Sequence, residues 1–317
     1  MDYRCFGRRI DYGLDGANAL TGAPFTFGGE DNLHGDYESS SVAILPVPYE
    51  GTVSYGEGTG RGPGAILSAS SFLEIYDEEL GSDTYEIGIH TLPPVDCSGS
   101  EEAVMSSIRS AALAPLQEGK FLATIGGEHS ITKPVLDALI ETKGNDFGVL
   151  QIDAHADLRN EYEGTKMSHA CIMRRIDDMS IPYSQVGIRA LSREEADFLK
   201  EKGLKPFFAH EIMTRPREEW IEEVVRSLPE KVYITIDLDG LDPSIMPSTG
   251  TPEPGGLGWY DVTTLIRRVA EEREVIGMDI VELAPIEGMH APDFLAAKLL
   301  YRSLGYIFKP KLDTDKN

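Results

Sequence analysis

Four short apolar runs of this chain each end in acidic or imidazole side chains. The runs cover residues 121–125, 147–152, 232–236 and 275–281, and are followed by the motifs Gly-Gly-Glu-His129, Asp153-Ala-His155-Ala-Asp157, Asp237-Leu-Asp239 and Glu282. Short runs that are rich in β-branched residues and apolar on both faces are typical of buried parallel strands. In open α/β sheets, ligands bind beyond the carboxyl ends of such strands. The pattern therefore predicts a functional site along one edge of a parallel sheet.

Segments with helical periodicity alternate with these strands. Further strands are predicted at 41–49 and 185–189, and helices at 65–76, 101–118, 131–142, 193–202, 217–227, 260–272 and 292–304. This alternation predicts an α/β fold, with a mostly parallel sheet between helical layers. Residues 1–40 are rich in Gly, Asn and Asp and are predicted to form an irregular N-terminal arm. No Pro- or Ser-rich linker divides the rest, so we expect one domain over 41–309 and a C-terminal tail over 310–317.

The formal net charge of −24 narrows the classes of partner. A nucleic-acid-binding protein needs a basic footprint, so nucleic acid is disfavoured. A negative field concentrates small cations near a site, although the same charge also serves solubility alone. The three cysteines are odd in number and lack metal-like spacing, which indicates a reducing compartment. No apolar window approaches the roughly 20 residues of a membrane span, so we expect a cytoplasmic protein with no membrane partner.

The motifs at the strand ends supply four carboxylates and two imidazoles. Asp153, His155 and Asp157 alternate with alanines, so an extended chain points all three to one side, and the same spacing joins Asp237 to Asp239. Carboxylates crowded in one crevice would repel one another and raise their pKa values, a cost that two divalent cations remove. Carboxylate and imidazole ligands without thiolate favour Mn²⁺, although Zn²⁺, Fe²⁺, Co²⁺ or Ni²⁺ can bind the same groups. The sequence predicts a paired-metal site.

These motifs resemble those of the ureohydrolases, which include arginase and agmatinase. The matching segments also include Ser168-His169-Ala, Asp242-Pro-Ser, Ser248-Thr-Gly-Thr-Pro252 and Asp279-Ile-Val-Glu282. The resemblance implies a three-layer α/β/α sandwich around a mostly parallel eight-stranded sheet, assembled as a homo-oligomer, a trimer or a hexamer. It also implies an enzyme that hydrolyses a small cationic guanidinium substrate to urea and a primary amine.

Carried over by position, the resemblance assigns a ligand set to two Mn²⁺ ions per subunit. One ion is expected on His129, Asp153, Asp157 and Asp237, and the other on Asp153, His155, Asp237 and Asp239. Two such ions lower the pKa of a water between them and so provide hydroxide near neutral pH.

Three residues are assigned catalytic roles by the same resemblance. Asp157 is expected to move a proton towards the leaving amine, His169 to shuttle protons or place the substrate, and Glu282 to bind the guanidinium group. Taken alone, His169 would be a loop histidine of no special role and Glu282 a helix cap.

The choice of substrate depends on the segment after Asp157. Leu158-Arg-Asn-Glu-Tyr-Glu163 and the stretch around Thr251 are similar to agmatinase-type sequences, which favours agmatine, with putrescine and urea as products. Arg159, Glu161 and Thr251 are accordingly expected to contact the substrate. Glu161 could meet a distal ammonium or be a solvated loop charge. Arg159 could pair with these glutamates or receive a substrate carboxylate. Aminopropylagmatine, arginine, guanidinobutyrate and small guanidines therefore stay open.

Two alternatives lie outside ureohydrolase chemistry. A deacetylase-like amidohydrolase shares the fold but uses one zinc ion, and a non-enzymatic metal-binding scaffold would be expected to have lost a ligand. The intact set of six ligands disfavours both. The other histidines, at 34, 90, 210 and 290, match no metal motif and are expected to be structural or surface residues, although His290 could approach the pocket.

Overall fold

A computed structural model describes residues 26–314, which form ten strands. The strands are β1 Val42–Val47, β2 Tyr76–Asp77, β3 Ser82–Asp83, β4 Ile89–Thr91, β5 Phe121–Gly126, β6 Gly148–Ile152, β7 Tyr183–Ile188, β8 Phe207–Phe208, β9 Lys231–Asp237 and β10 Glu274–Val281. Within the same range, the α-helices are α1 Gly62–Ser70, α2 Glu101–Gln117, α3 Thr132–Lys143, α4 Ile172–Asp178, α5 Arg193–Lys202, α6 Ala209–Ile212, α7 Arg217–Ser227, α8 Trp259–Glu272 and α9 Ala291–Thr314.

Eight of the strands form one sheet in the order β4-β1-β5-β10-β9-β6-β7-β8, and every neighbouring pair is parallel. The predicted parallel eight-stranded sheet is therefore confirmed. Strands β5, β10, β9 and β6, which precede the four polar motifs, are consecutive in this order. Their register brings Ile152 level with Ile236 and Val281 level with Asp237. The polar motifs consequently start together at the carboxyl ends of the central strands.

Alternate residues of the strands feed two hydrophobic cores on opposite faces of the sheet. Ile44 and Ile234 belong to one core, which also receives side chains from α1, α7, α8 and α9. Leu45, which follows Ile44, and Tyr233, which precedes Ile234, belong to the other core. That core receives side chains from α2, α3, α4 and α5. Successive side chains of a strand point to opposite faces, so strands that are apolar throughout need cover on both. The α/β/α sandwich follows.

The bounds of several elements differ from those predicted. The edge strands β4 and β8 have three and two residues, too few to show a period in the sequence. Helix α9 continues to Thr314, ten residues past the predicted end, because Leu312 is buried in the core that contains Ile44 and Ile234. The predicted tail over 310–317 thus begins inside this helix.

The predicted arm over 1–40 is described only from residue 26, and residues 1–25 and 315–317 lie outside the described range. Residues 26–40 contain one 3-10 turn, Gly29–Asp31, and the side chain of Phe27 is buried in the core. The single domain over 41–309 stays a prediction. Among the described helices, none has the length and apolar character required to cross a bilayer.

Candidate metal centre

The four polar motifs converge where β5, β10, β9 and β6 end. His129 begins a 3-10 turn after β5, Asp153 to Asp157 follow β6, and Asp237 ends β9 just before the turn that carries Asp239. Glu282 directly follows β10. Parallel strands that lie side by side place their carboxyl ends together, so residues far apart in sequence share one crevice.

The predicted metal ligands form two overlapping groups of donor atoms. His129, Asp153 and Asp157 form one, and Asp153, His155 and Asp239 the other, with the donor atoms of each group within 4.8 Å of one another. Asp153 belongs to both groups, as expected for a bridging ligand. Asp237 adjoins the first group, since its Oδ2 lies 3.3 Å from His129 Nδ1. The structure thus brings all six predicted ligands together.

The distances around the two imidazoles suit shared coordination. His129 Nδ1 lies 3.2 Å from Oδ2 of Asp153 and 3.2 Å from Oδ2 of Asp157. His155 Nδ1 lies 2.9 Å from Oδ2 of Asp239 and 3.7 Å from Oδ1 of Asp153. Ligand atoms that share an ion at about 2.1 Å lie roughly 3 Å apart. Both imidazoles therefore offer Nδ1 to a crevice of carboxylate oxygens.

The protonation of His129 follows from its hydrogen bonds. Its Nε2 lies 2.8 Å from Oγ1 of Thr235, and Thr235 donates its hydroxyl hydrogen to Asp279 Oδ1 at 2.6 Å. Thr235 must then accept from Nε2–H, which leaves Nδ1 as the nitrogen that can bind a cation. This buried Nδ1 has no hydrogen-bond partner among the described residues, although it faces three carboxylate oxygens. Burial lowers the pKa of His129, but the contacts with Asp153, Asp157 and Asp237 raise it well above its usual range. The carboxylate oxygens therefore require a cation at Nδ1, a proton in the metal-free chain or a metal ion in its place, so the residues present fit a metal ion.

The pKa values show the same excess of negative charge. Burial, then the charge of Asp153, raises the pKa of Asp157 to about 7. Burial, with the charges of Asp239 and Asp153, raises the pKa of Asp237 well above its usual range. Burial alone would lower the pKa of His155, but Asp239 and Asp153 raise it to about 12. Without cations the cluster retains protons, and bound cations would take their place.

Amide side chains hold Asp153 in position. Gln151, on β6, donates from Nε2 to Asp153 Oδ2 at 2.6 Å, and the backbone N–H of His155 donates to Oδ1 at 2.6 Å. Gln185, on the neighbouring strand β7, donates to Gln151 Oε1 at 2.6 Å. Groups that orient ligands in this way commonly set metal affinity.

Two of the predicted catalytic residues have left-handed backbones. The φ angles of Asp157 and Glu282 are 53° and 67°, values that L-residues rarely adopt. One Glu282 carboxylate oxygen accepts the backbone N–H of His129 at 2.7 Å, which places the carboxyl group beside the cluster. Burial, then the charge of Glu128, raises the pKa of Glu282 well above its usual range. Strained backbone of this kind is common at functional sites.

His169, the third predicted catalytic residue, lies on the loop side of the site. Its Nδ1 is 3.1 Å from Oγ1 of Thr52, and its Nε2 is 3.5 Å from Oγ of Ser54. The Tyr162 ring meets the His169 ring edge-on at 5.9 Å, and the Arg159 guanidinium lies 4.9 Å from the centre of the Tyr162 ring. Burial lowers the pKa of His169. We refer to the region around His169, Tyr162 and Arg159 as the mouth of the site.

The remaining predicted substrate contacts have different surroundings. Thr251 donates to Asp239 Oδ2 at 3.4 Å and so lies against a predicted ligand. Glu161 is exposed beside Tyr162. In the described part of the chain, Arg159 stacks on Tyr162 and forms no ion pair with Glu161 or Glu163. The histidines set aside as structural lie elsewhere: His90 contacts Gly35, His210 stacks on Phe208, and His290 lines an apolar cavity with Trp259.

Comparison with known proteins identifies the family. A model of the Arginase family matches residues 40–305, most of the described chain. The chain belongs to the arginase family, and its converging acids and imidazoles form the candidate metal centre of a hydrolase of this class.

Individual relatives extend this comparison. The chain is 42% identical over 296 residues to an N(1)-aminopropylagmatine ureohydrolase of Synechocystis sp., covering 91% of this chain and 96% of that protein. It is 34% identical over 275 residues to an agmatinase of Pyrococcus horikoshii, covering 85% and 93%. Among solved structures, the agmatine ureohydrolase of Thermoplasma volcanium superposes with a TM-score of 0.82 at 33% identity, covering 89% of this chain and 95% of that one.

Proposed function

We propose that this chain hydrolyses the guanidinium group of agmatine or of an agmatine extended by an aminopropyl group, releasing urea and a primary amine. The observation that carries the proposal is the convergence of six metal-ligand side chains with the Glu282 carboxylate at the ends of four adjacent strands. The names of the relatives in the arginase family support it. Hydrolysis between the guanidinium carbon and the chain nitrogen would leave putrescine from agmatine and spermidine from aminopropylagmatine.

The proposed centre would hold two divalent ions, with Mn²⁺ favoured by the mixture of carboxylate and imidazole donors. His129 and Asp157 would bind one ion, and His155 and Asp239 would bind the other. Asp153 and Asp237 would bind both ions. When bound, the ions neutralise the carboxylates and activate water at neutral pH. The Thr235 contact, which fixes a hydrogen on His129 Nε2 and leaves Nδ1 to face the carboxylates, supports this assignment.

Each catalytic side chain then has a task in the substrate's reaction. Glu282, with its carboxyl group held beside His129 N–H, accepts hydrogen bonds from the guanidinium group and fixes its carbon in the crevice. Water adds to that carbon, and the bond to the amine nitrogen breaks. The leaving nitrogen needs one proton, which Asp157 delivers from within the cluster. His169, at the mouth, exchanges protons with solvent and completes the cycle.

The mouth of the site suits a substrate with a second positive charge. Glu161 and Glu163 are exposed on either side of Tyr162, whose ring contacts His169. The net charge of −24 attracts cations to the whole molecule. The 42% identity to an aminopropylagmatine ureohydrolase, against 34% to an agmatinase, supports the extended substrate beside agmatine.

A urea-release assay tests the proposal directly. The purified chain, loaded with Mn²⁺, is assayed with agmatine, aminopropylagmatine, arginine and guanidinobutyrate, and kcat/KM values are compared. We expect kcat/KM to be higher for the two polyamine-like substrates than for both carboxylate-bearing guanidines, by an amount that corresponds to several kcal/mol of transition-state binding. The reason is that the carboxylate of a guanidino acid would be left without a partner in the site. Absence of urea with all four, in a folded and metal-loaded protein, would refute the proposal. A lead for arginine or guanidinobutyrate would replace agmatine with a guanidino acid.

The assembly and the compartment belong to the same proposal. A homo-oligomer, a trimer or a hexamer, is supported by the exposed apolar side chains of Tyr260, Ile286, Met289 and Phe294. A cytoplasmic location is supported by the free thiols of Cys97 and Cys171, and a role in polyamine biosynthesis follows from the proposed products. Light scattering coupled to size exclusion measures the assembly, and a monomer at micromolar concentration would contradict it.

A further inference from the structure

Glu128 is a fully buried acid beside the metal centre that has no part in the proposed mechanism. Its Oε2 accepts the backbone N–H groups of Gly51 and Thr52 at 2.7 and 2.6 Å. Its Oε1 accepts the hydroxyl groups of Thr52 and Ser130 at 2.7 and 2.6 Å. Four donors therefore surround a side chain with 0% exposure, which makes Glu128 an acceptor of hydrogen bonds on both oxygens.

Thr52 connects this buried acid to His169. Its single hydroxyl hydrogen goes to Glu128, so its two lone pairs are left to accept. The backbone N–H of His169 donates to Thr52 Oγ1 at 3.2 Å, and His169 Nδ1 lies 3.1 Å from the same oxygen. Thr52 has no hydrogen left to give to the ring. Ser168 Oγ also lies near Nδ1, at the longer distance of 3.4 Å, and it accepts the backbone N–H of Ala170. The shorter contact with Thr52 is a hydrogen bond only if Nδ1 carries the hydrogen, and Nε2, which lies 3.5 Å from Ser54 Oγ, then keeps its lone pair.

We propose that Thr52 and Glu128 are positioning residues that hold neutral His169 with its hydrogen on Nδ1, so that Nε2 is the nitrogen that accepts and returns protons during turnover. The inference rests on the proposed function only for the role of His169 in turnover. Its structural half, the choice of ring nitrogen, rests on the hydrogen bonds alone. A hydrogen-bonded partner commonly selects the tautomer of a catalytic histidine in this way.

The same contacts have a simpler interpretation, in which Glu128 only ties the loop around Gly51 and Thr52 to the sheet. The two backbone N–H bonds would suffice for that purpose. The two interpretations differ in the Thr52 hydroxyl. Thr52→Val removes the hydroxyl and keeps the backbone bonds and the shape of the side chain, whereas Thr52→Ser keeps the hydroxyl. Thr142→Val, which removes a hydroxyl bonded to a helix carbonyl on α3, is the matched control.

The first measurement does not depend on activity. Nitrogen-15 NMR of the histidine rings is recorded on the full chain loaded with diamagnetic Zn²⁺, and the His169 signals are assigned by their loss in His169→Gln. We expect a protonated Nδ1 and an unprotonated Nε2 at pH 8 in the parent protein, in Thr52→Ser and in Thr142→Val. In Thr52→Val we expect the hydrogen to move, wholly or in part, to Nε2. An unchanged His169 pattern in Thr52→Val would overturn the inference.

The second measurement uses the Mn²⁺-loaded enzyme. For Thr52→Val we expect kcat to fall by about ten-fold or more, while KM changes by less than about three-fold, because misplaced protons slow transfer more than binding. Thr52→Ser should recover most of the lost kcat. Unchanged kcat in Thr52→Val would overturn the inference. If Thr52→Val does not fold, as judged by its thermal transition, Thr52→Ala is used with the same criteria.

Failure of the proposed function would look different. A parent protein that releases no urea from any guanidine in the panel refutes the proposed function, while the ring-nitrogen pattern still decides whether Thr52 sets the tautomer. An active parent whose His169 carries its hydrogen on Nε2 refutes the Thr52–Glu128 arrangement and leaves the proposed function in place.

Discussion

His129 and His169 are held by the same three-part arrangement, but through opposite ring nitrogens. His129 contacts the Thr235 hydroxyl through Nε2 at 2.8 Å, and His169 contacts the Thr52 hydroxyl through Nδ1 at 3.1 Å. Each hydroxyl donates its hydrogen to a buried carboxylate, which is Asp279 for Thr235. The free nitrogen is therefore Nδ1 at His129, where it faces the metal crevice, and Nε2 at His169, where it faces the mouth.

The Thr235 hydroxyl is expected to set metal affinity. In Thr235→Val, His129 loses the acceptor that fixes its hydrogen on Nε2, so Nδ1 is no longer held as a free ligand. Loss of such an orienting contact typically weakens metal binding about 10- to 100-fold. The measurement is Mn²⁺ retained during dialysis against a graded chelator. Thr263→Val, which removes a buried hydroxyl bonded to a carbonyl within α8, is the control. Equal retention in both variants would contradict the assignment.

Asp153 and Asp237 are expected to be the least replaceable ligands, since each is assigned to both ions. Asp153→Asn and Asp237→Asn should lose urea formation and bound metal together, because an amide brings neither the charge nor the second ligand oxygen. Metal content by atomic absorption and urea release are measured on the same sample. Asp137→Asn, on the surface of α3 beside Lys133, is the control. Full activity in either ligand variant would refute the paired-metal assignment.

Glu282 separates substrate binding from metal binding. Both Glu282→Ala and Glu282→Gly should keep their metal and lose most of their turnover, because Glu282 is assigned to the guanidinium group. Glycine adopts a φ of 67° without the penalty of roughly 1 kcal/mol or more that other residues pay. Glu282→Gly should therefore unfold at higher denaturant than Glu282→Ala. Loss of metal from both would instead make Glu282 a part of the centre.

Much of the sheet and of the ligand set could be predicted from the sequence, because both depend on local patterns. The apolar runs that end in His129, Asp153 and Asp237 are the strands that converge in the structure. Residues that act through tertiary hydrogen bonds were missed. Thr235 and Gln151 are polar positions inside apolar strands, which is the signal that could have found them.

Other features have no local signal in the sequence. Thr52 precedes His169 by 117 residues, and their contact depends on how two loops pack. Arg189 likewise donates to the backbone carbonyls of Asp239 and Glu253 and so connects two loops of the site. No spacing of residues in the sequence predicts these contacts. The length of α9 depends on the burial of Leu312 in a core built from the whole chain.

The stability of the metal-free chain should fall as pH rises. The pKa of Asp157 is raised from 3.8 to about 7, so its stabilising contribution is complete below pH 4 and is lost as pH rises through 7. The pKa of His155 is raised from 6.5 to about 12, so its contribution declines above pH 6.5. The raised pKa values of Asp237 and Glu282 act in the same direction. The lowered pKa of Asp153 has no effect in this window, since its contribution is complete above pH 4.

Bound metal should reverse this trend, because the ions bind deprotonated ligands and their affinity increases with pH. Calorimetric Tm values between pH 6 and 8.5, measured with chelator and with Mn²⁺, test the predicted trend of the metal-free chain and its reversal by metal. We expect the Tm of the metal-free chain to decrease over this range and the difference between the two curves to widen. A constant difference would show that the cluster releases no protons when metal binds.

Arg159 is expected to oppose the binding of a dicationic substrate. Its guanidinium group lies over Tyr162, at the wall of the mouth that His169 shares, and the glutamates of the loop do not pair with it in the described chain. Removal of one positive charge in Arg159→Ala should raise kcat/KM for agmatine or aminopropylagmatine by about two- to five-fold at low ionic strength. The gain should shrink in 0.5 M salt, where screening is stronger. Arg159→Lys, which keeps the charge, should show neither effect.

The same variant decides the choice between amine and acid substrates. If guanidinobutyrate or arginine is the better substrate of the parent protein, and Arg159→Ala removes that lead, Arg159 receives a substrate carboxylate. The chain would then be a guanidino-acid hydrolase. Arg159→Ala could instead raise kcat/KM for the polyamine-like substrates while Arg159→Lys does not. The positive charge of Arg159 then repels the distal ammonium of the substrate, and the acidic residues around it attract that ammonium.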